Sequence, residues 1–190
     1  MVGVTWYAAT AFAWWADAWL RALGVLKEGE EVRLPTEAEW ERAAAYPPAL
    51  PGGNTRAGRR EYPWGAELTT ATGGSMIASI QANTSESRID GTSVVGIFPH
   101  GAAACGAEEL AGNVWEWCST PYLKYPLTSE VGAESLYTKN KRADSIYVLR
   151  GGSWNFHRDY ARCACRYGVR FPDLVLDTRG IRLARLFSSC

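Results

Sequence analysis

The sequence predicts an α+β fold built from two helices, short antiparallel strands and long loops. Two helical segments open the chain, and residues 52–138 are dense in Gly, Pro, Ser, Thr and Asn, as in loops joined by brief strands. The nine Trp and nineteen Gly among 190 residues favour tight turns held by large aromatic side chains. This length, without an internal repeat or a linker, predicts a single domain over residues 1–190.

The first helix is predicted to begin after Thr5, whose hydroxyl can cap a helix N-terminus, and to end at Gly24. Large apolar side chains recur at helical spacing along one stripe of this helix. They are Phe12, Trp15, Trp19 and Leu23. We expect this stripe to face the core.

A capping box opens the second helix. Thr36 is followed three residues later by Glu39, so that hydroxyl and carboxylate satisfy each other's backbone donors, and Pro47 and Pro48 stop the helix. Two later segments, residues 145–154 and 179–187, have the β-branched and alternating apolar residues of strands, and we expect them to pair with each other.

Tryptophan residues in "GNVWEW" alternate with a carboxylate. Trp115 and Trp117 flank Glu116, so both indoles fall on one side of an extended segment. Side chains of this size mostly fill cores, and we expect packing there rather than stacking on a ligand.

The charge balance and apolar patterning exclude several partner classes. Lys plus Arg and Asp plus Glu both number 20, which argues against nucleic acid or an anionic membrane as partner. No stretch approaches the roughly 18 apolar residues of a membrane span, and the start lacks the basic region of a signal peptide. Five cysteines form no disulfide framework, so reduced thiols in a cytoplasm are the default, with display on a cell or virion surface as the alternative.

Several phrases occur in a specific order along residues 4–185: "VTWYAATAFAWW", "RLPTEAEWERAA", "YPWG", "VGIFPHGAAACGAEELAGNVWEWCS", "VLRGGSW" and "GIRLAR". Together they resemble the domain of formylglycine-generating enzymes, also called sulfatase-modifying factors. The resemblance implies that family's variant of the C-type lectin fold. Family members usually carry several dozen more residues ahead of "VTWYAA", so we expect a shortened version or a fragment.

A structural calcium site is implied by the resemblance. The family's ligands fall on the Glu116 carboxylate and on the carbonyls of Gly112 and Val114, while its Asn ligand falls on Glu109. Oxygen ligands of this kind suit Ca²⁺. The alternative is a Glu116 carboxylate that accepts hydrogen bonds from loop amides without an ion. No other cofactor is expected.

The family's catalytic cysteines have no counterparts here. Catalytic relatives use two cysteines after "GGSW" to hold copper and activate oxygen, and those places fall on Phe156 and Ala161, so we expect no enzymatic activity. The alternative is a copper and oxygen-dependent oxidase that uses Cys163 and Cys165, although their spacing also fits the interior of a strand. Iron-dependent relatives need a histidine cluster, and the chain has only two histidines.

The end of the chain has an unusual composition. Residues 155–190 contain no Lys, Glu, Gln, Met or Trp, although these five types together occur 30 times before residue 155. Codons that end in a pyrimidine cannot encode these five types, and a mechanism that randomises the first two bases of asparagine codons would leave this gap. The pattern resembles the variable proteins of diversity-generating retroelements, whose variable region here would be residues 150–182. Chance depletion is the alternative explanation.

On this interpretation some residues of the segment maintain the scaffold, and others form an interchangeable, exposed ligand-binding surface. The scaffold residues include Arg150, Gly151, Gly152, Ser153, Trp154, Arg162, Arg166, Pro172, Gly180 and Arg182. The surface positions are Phe156, His157, Asp159, Tyr160, Tyr167, Val169, Phe171, Leu174, Leu176 and Asp177. Such side chains resemble those of antibody paratopes, so the expected partner is a macromolecule, most simply a protein. The alternatives are burial of Phe171, Leu174 and Leu176, or a fixed interaction module without variability.

Overall fold

The computed structural model describes residues 2–48, 58–65, 81–125 and 146–187, and these ranges contain two α-helices and six short strands. The helices are α1 (Trp6–Ala22) and α2 (Glu37–Ala45). The strands are β1 (Glu30–Arg33), β2 (Trp115–Pro121), β3 (Tyr147–Arg150), β4 (Tyr167–Val169), β5 (Arg179–Gly180) and β6 (Ala184–Phe187). The predicted α+β class is confirmed.

Helix α1 starts and ends where the sequence predicts, but it buries a different face. The Thr5 hydroxyl accepts a hydrogen bond from the Ala8 amide, and Gly24 follows the helix with a φ of +70°. The predicted core stripe is wrong, because Trp15, Trp19 and Leu23 are each at least half exposed. The residues that face the core are instead Trp6, Ala9, Ala13 and Ala16. Alanine at these positions lets the helix backbone approach the rest of the protein closely.

Helix α2 has the predicted capping box. The Thr36 hydroxyl accepts from the Glu39 amide at 3.2 Å, and the Glu39 carboxylate accepts from the Thr36 amide at 2.8 Å. The Arg33 guanidinium also holds this carboxylate, at 2.7 and 2.8 Å. The cap therefore links α2 to β1.

Six strands form two sheets. One has the order β4-β3-β2-β5, and the other pairs β1 with β6. All pairs are antiparallel except β2 with β5, which is parallel. The predicted pairing of residues 145–154 with 179–187 is wrong, since β2 lies between β3 and β5 while β6 joins β1. The positive φ of Gly151 and Gly152, 96° and 76°, turns the chain away directly after β3.

The two faces of β2 pack against different clusters. Trp115 and Trp117 enter one core with Trp6 of α1, as the alternation predicts. Cys118 enters the other, beside Trp40 of α2. The Trp6 indole stacks on Tyr147 at 3.8 Å and donates to the Cys118 carbonyl at 2.9 Å. No helix in the described ranges is long and apolar enough to cross a membrane.

Candidate ligand-binding surface

The turn after β3 positions the start of the predicted variable region. Gly152 has a φ of +76°, and a Cβ built on it would lie 3.1 Å from the backbone of Tyr160 and Ala161. The Trp154 amide donates to the Asn113 carbonyl at 3.0 Å, and the Phe156 carbonyl accepts from the Ser85 amide at 3.0 Å. The start of the segment is thus held by its backbone.

Ion pairs anchor two of the predicted scaffold residues of this segment. The fully buried Arg150 pairs with Glu41 and donates to the carbonyls of Cys163 at 2.8 Å and Cys165 at 2.6 Å. Arg166 makes a two-pronged contact with Glu37, including a 2.8 Å hydrogen bond. Two arginines after β2 therefore attach the C-terminal segment to α2. Ion pairs that are largely buried fix geometry more than they add stability.

Aromatic rings of this segment form one cluster with Trp115, whose ring is buried. Trp115, which is 2% exposed, stacks on Tyr167 with centroids 5.2 Å apart and meets the edge of Phe156 at 5.5 Å. Phe156 in turn contacts Tyr160 at 5.1 Å. Tyr160 and Tyr167 are 43% and 41% exposed, so the cluster shows two phenol rings to solvent.

A polar group lies beside these rings. The His157 imidazole is 3.0 Å from the Glu86 carboxylate through Nε2 and 3.1 Å from the Asp159 carboxylate through Nδ1. Glu86 also accepts from the Arg158 amide. Sequence reasoning missed Glu86, because it lies some seventy positions upstream and only the fold brings it to His157.

Aliphatic and aromatic side chains continue the surface toward β5. Phe171, Leu174 and Leu176 are 62%, 47% and 39% exposed, so the alternative of their burial is ruled out. Beneath them the Arg179 guanidinium donates to the Leu174 carbonyl at 2.9 Å, and the Pro172 carbonyl accepts from the amide at the start of α1. The loop between β4 and β5 is therefore held in place by contacts on its inner side.

Two of the ten predicted surface positions need correction. Val169 is 4% exposed, because β4 pairs with β3 and turns this side chain into the core beside Tyr147. Phe156 is half-buried against the same core. The neighbouring Val175, which was not predicted, is 58% exposed. We use "C-terminal surface" for the nine positions other than the buried Val169, so that the half-buried Phe156 is retained: Phe156, His157, Asp159, Tyr160, Tyr167, Phe171, Leu174, Leu176 and Asp177.

The spacing of Cys163 and Cys165 fitted a strand interior, but the two residues lie in the turn before β4. Their backbone carbonyls face Arg150 there. Cys163 is fully buried, and this burial raises the pKa of its thiol to about 12. Burial likewise raises the pKa of the Cys165 thiol. Because the thiolate is the metal ligand and the nucleophile, these environments disfavour the copper chemistry considered for this pair.

The Glu116 carboxylate, one of the predicted calcium ligands, has other partners. The Glu116 carboxylate accepts three hydrogen bonds of 2.8 to 3.1 Å from Arg182 and one of 2.7 Å from the Trp40 indole. The Gly112 amide donates to Gly151, and Val114 lies beside this contact. A guanidinium thus compensates the charge of the Glu116 carboxylate, so this carboxylate has a cationic partner without an ion. The partners of the Glu116 carboxylate are a cation and an indole, not the loop amides that we considered as the alternative to calcium.

Comparison with known proteins assigns the family. Residues 1–187 match the family described as "Sulfatase-modifying factor enzyme 1-like domain", and the chain belongs to it. The fold is similar to that of Treponema denticola variable protein 1, with a TM-score of 0.67 and 21% identity over 98% of this chain and 70% of that one. At this identity the likeness shows the fold alone.

Curated relatives include enzymes. A hercynine oxygenase of Mycobacterium tuberculosis is 37% identical over 80% of this chain and 28% of its own length. A formylglycine-generating enzyme of Streptomyces coelicolor is 36% identical over 97% of this chain and 52% of its own length. The chain therefore spans between about a quarter and a half of these relatives.

These relatives contradict the prediction that the chain has no enzymatic activity. Proteins named as enzymes match it at more than one third identity over most of its length. The replacement of two family cysteines by Phe156 and Ala161 is too narrow a basis for that prediction, since one fold can supply catalytic groups from different positions.

Proposed function

We propose that this chain binds a protein ligand through the C-terminal surface. The observation that carries the proposal is the separation of exposed side chains from a buried frame within one segment. Tyr160, Tyr167 and Phe171 offer large, semi-rigid contact areas, while Asp159 and Asp177 offer charges at the rim. A few aromatic anchors of this kind carry most of the free energy of binding in protein interfaces.

We further propose that the surface varies between copies of the gene, as in proteins of diversity-generating retroelements. The burial of six of the ten predicted scaffold residues supports this proposal: Arg150, Gly151, Gly152, Ser153, Pro172 and Gly180. The absence of five residue types from residues 155–190 supports it independently. A frame held by backbone contacts and buried ion pairs tolerates many side chains at its surface.

A second candidate is an oxidase activity related to that of the named enzymes, which the identity over 97% of the chain favours. The raised pKa values of the Cys163 and Cys165 thiols argue against this pair as the reacting group. The activity would then use other residues of the fold.

A matched pair of display libraries tests the binding proposal. One library recodes the nine C-terminal surface positions with codons ending in a pyrimidine, and the control library recodes nine buried scaffold and core positions. We expect the first library to retain folded display and to yield binders to unrelated proteins, while the control library loses display. Equal loss of display in both libraries would refute the proposal.

Two further experiments separate the alternatives. Gene copies from sister isolates should differ by first-base and second-base changes confined to residues 155–178, and identical copies would favour a fixed module. Oxygen uptake with copper and a cysteine-containing peptide tests the oxidase. Uptake that persists in the Cys163→Ser, Cys165→Ser double variant would establish an activity built on other residues, and uptake that is lost would restore the cysteine pair.

A further inference from the structure

Helix α1 is apolar on the side that faces solvent as well as on the side that faces the core. The buried side carries Trp6, Ala9, Ala13 and Ala16. The opposite side includes Trp15 and Trp19, which are 55% and 50% exposed and stack on each other at 5.5 Å. A helix that is apolar all round is normally covered on both sides.

The outer residues follow the spacing of a helix-packing seam. Five exposed residues succeed one another at intervals of three and four: Ala8, Ala11, Trp15, Ala18 and Ala22. This alternation keeps apolar side chains facing a second helix over several turns. Alanine on both sides of a single large residue leaves room for the partner's side chains. We call these five residues the α1 seam.

Charges of α1 lie away from the seam and are already compensated. Asp17 and Arg21 form an i,i+4 pair at 3.2 Å. Asp17 also accepts from the Val32 amide, and Arg21 donates to the Glu30 carbonyl, both at 2.8 Å. The flank with the charges is therefore turned toward β1. The seam itself carries no charge, so two copies of it can meet without repulsion.

The exposed area is sufficient for a dimer. A half-exposed Trp leaves about 125 Å² open, and the seam with Tyr7, Trp19 and Leu23 at its margins presents on the order of 600 Å². Two such faces would bury about 1,200 Å², above the about 1,000 Å² expected of a specific interface.

We propose that the chain forms a two-fold symmetric dimer in which the α1 seams of two copies pack antiparallel. The seam is nearly symmetric about Trp15, because Ala8 and Ala22 both lie seven positions from it, while Ala11 and Ala18 lie four and three positions from it. In the antiparallel pair Ala11 faces Ala18 of the second copy, and the two Trp15 rings meet at the axis. Closed two-fold symmetry explains why one uncharged face serves both copies.

Sedimentation of the full chain between about 1 and 200 µM tests the dimer. We expect the wild-type chain to shift from monomer to dimer over this range, and Trp15→Glu, which brings two like charges to the axis, to weaken association at least tenfold. The matched control is Val94→Glu, the same kind of change at a residue that is 76% exposed outside α1. A wild-type chain that stays monomeric at 200 µM, or a Trp15→Glu chain that still dimerises, would overturn the proposal.

Cross-linking tests the orientation and does not depend on Trp15→Glu folding. Single Ala11→Cys and Ala18→Cys variants are made with Cys105 and Cys190 replaced by Ser and treated with a short bismaleimide. An antiparallel pair requires that the mixture of the two variants cross-links more efficiently than either alone. Preferential coupling within each single variant would indicate parallel helices and overturn the proposal. A chain that stays monomeric because a different helix covers its α1 seam would give no cross-linked dimer, either in the mixture or in the single variants.

Discussion

Replacing Gly152 by Ala should destabilise the protein more than the same change at another glycine of equal backbone conformation. Gly152 and Gly24 have φ values of +76° and +70°, so both substitutions incur the about 1 kcal/mol of a left-handed alanine. The added Cβ at Gly24 meets no atom within 4 Å, whereas at Gly152 it lies 3.1 Å from the backbone of Tyr160 and Ala161. Backbone atoms cannot move aside alone, so overpacking adds about 2 kcal/mol at Gly152.

Urea denaturation followed by circular dichroism measures both changes. We expect a loss of about 1 kcal/mol in the free energy of unfolding for Gly24→Ala and about 3 kcal/mol for Gly152→Ala. With about 3 °C per kcal/mol in a chain of this size, Tm should fall by about 3 and about 9 °C. Equal losses would show that the turn after β3 is not packed against residues 160–161, and the frame beneath the C-terminal surface would need a different explanation.

Three further outcomes follow from the ion pairs and the buried thiols. Arg182→Met leaves the buried Glu116 carboxylate without its cation and should cost about 3 kcal/mol in urea unfolding, while calcium or EDTA should leave the wild-type Tm unchanged. Burial alone would raise the pKa of the Glu39 carboxyl, but the hydrogen bonds from Arg33 outweigh burial and lower this pKa to about 2. The stabilisation that the Arg33–Glu39 pair contributes is therefore present above the unfolded-state pKa of 4.5, and it should be lost as the pH falls from 4.5 toward 2. Cys163 should react with iodoacetamide at pH 8 only as fast as the protein unfolds, and rapid labelling in native buffer would contradict its burial.

The sequence by itself determined the features that depend on nearby residues. The capping box of α2 involves Thr36 and Glu39, three positions apart, and the start of α1 involves Thr5 and Ala8. The ordered phrases from "VTWYAA" to "GIRLAR" identified the family and hence the fold, and the composition of residues 155–190 pointed to the surface. The exposure of Phe171 and Leu174 agrees with that surface.

Only the tertiary structure decided which side of α1 is buried, which strands pair and which groups compensate each charge. The hydrogen bond from Trp6 to Cys118 spans 112 positions, and the pair of Glu116 with Arg182 spans 66. Local periodicity marks an apolar stripe but does not say whether a chain segment far along the sequence covers it. Trp15 and Trp19 were therefore predicted in the core and lie in solvent, because alanine, not tryptophan, lets the helix approach the sheet.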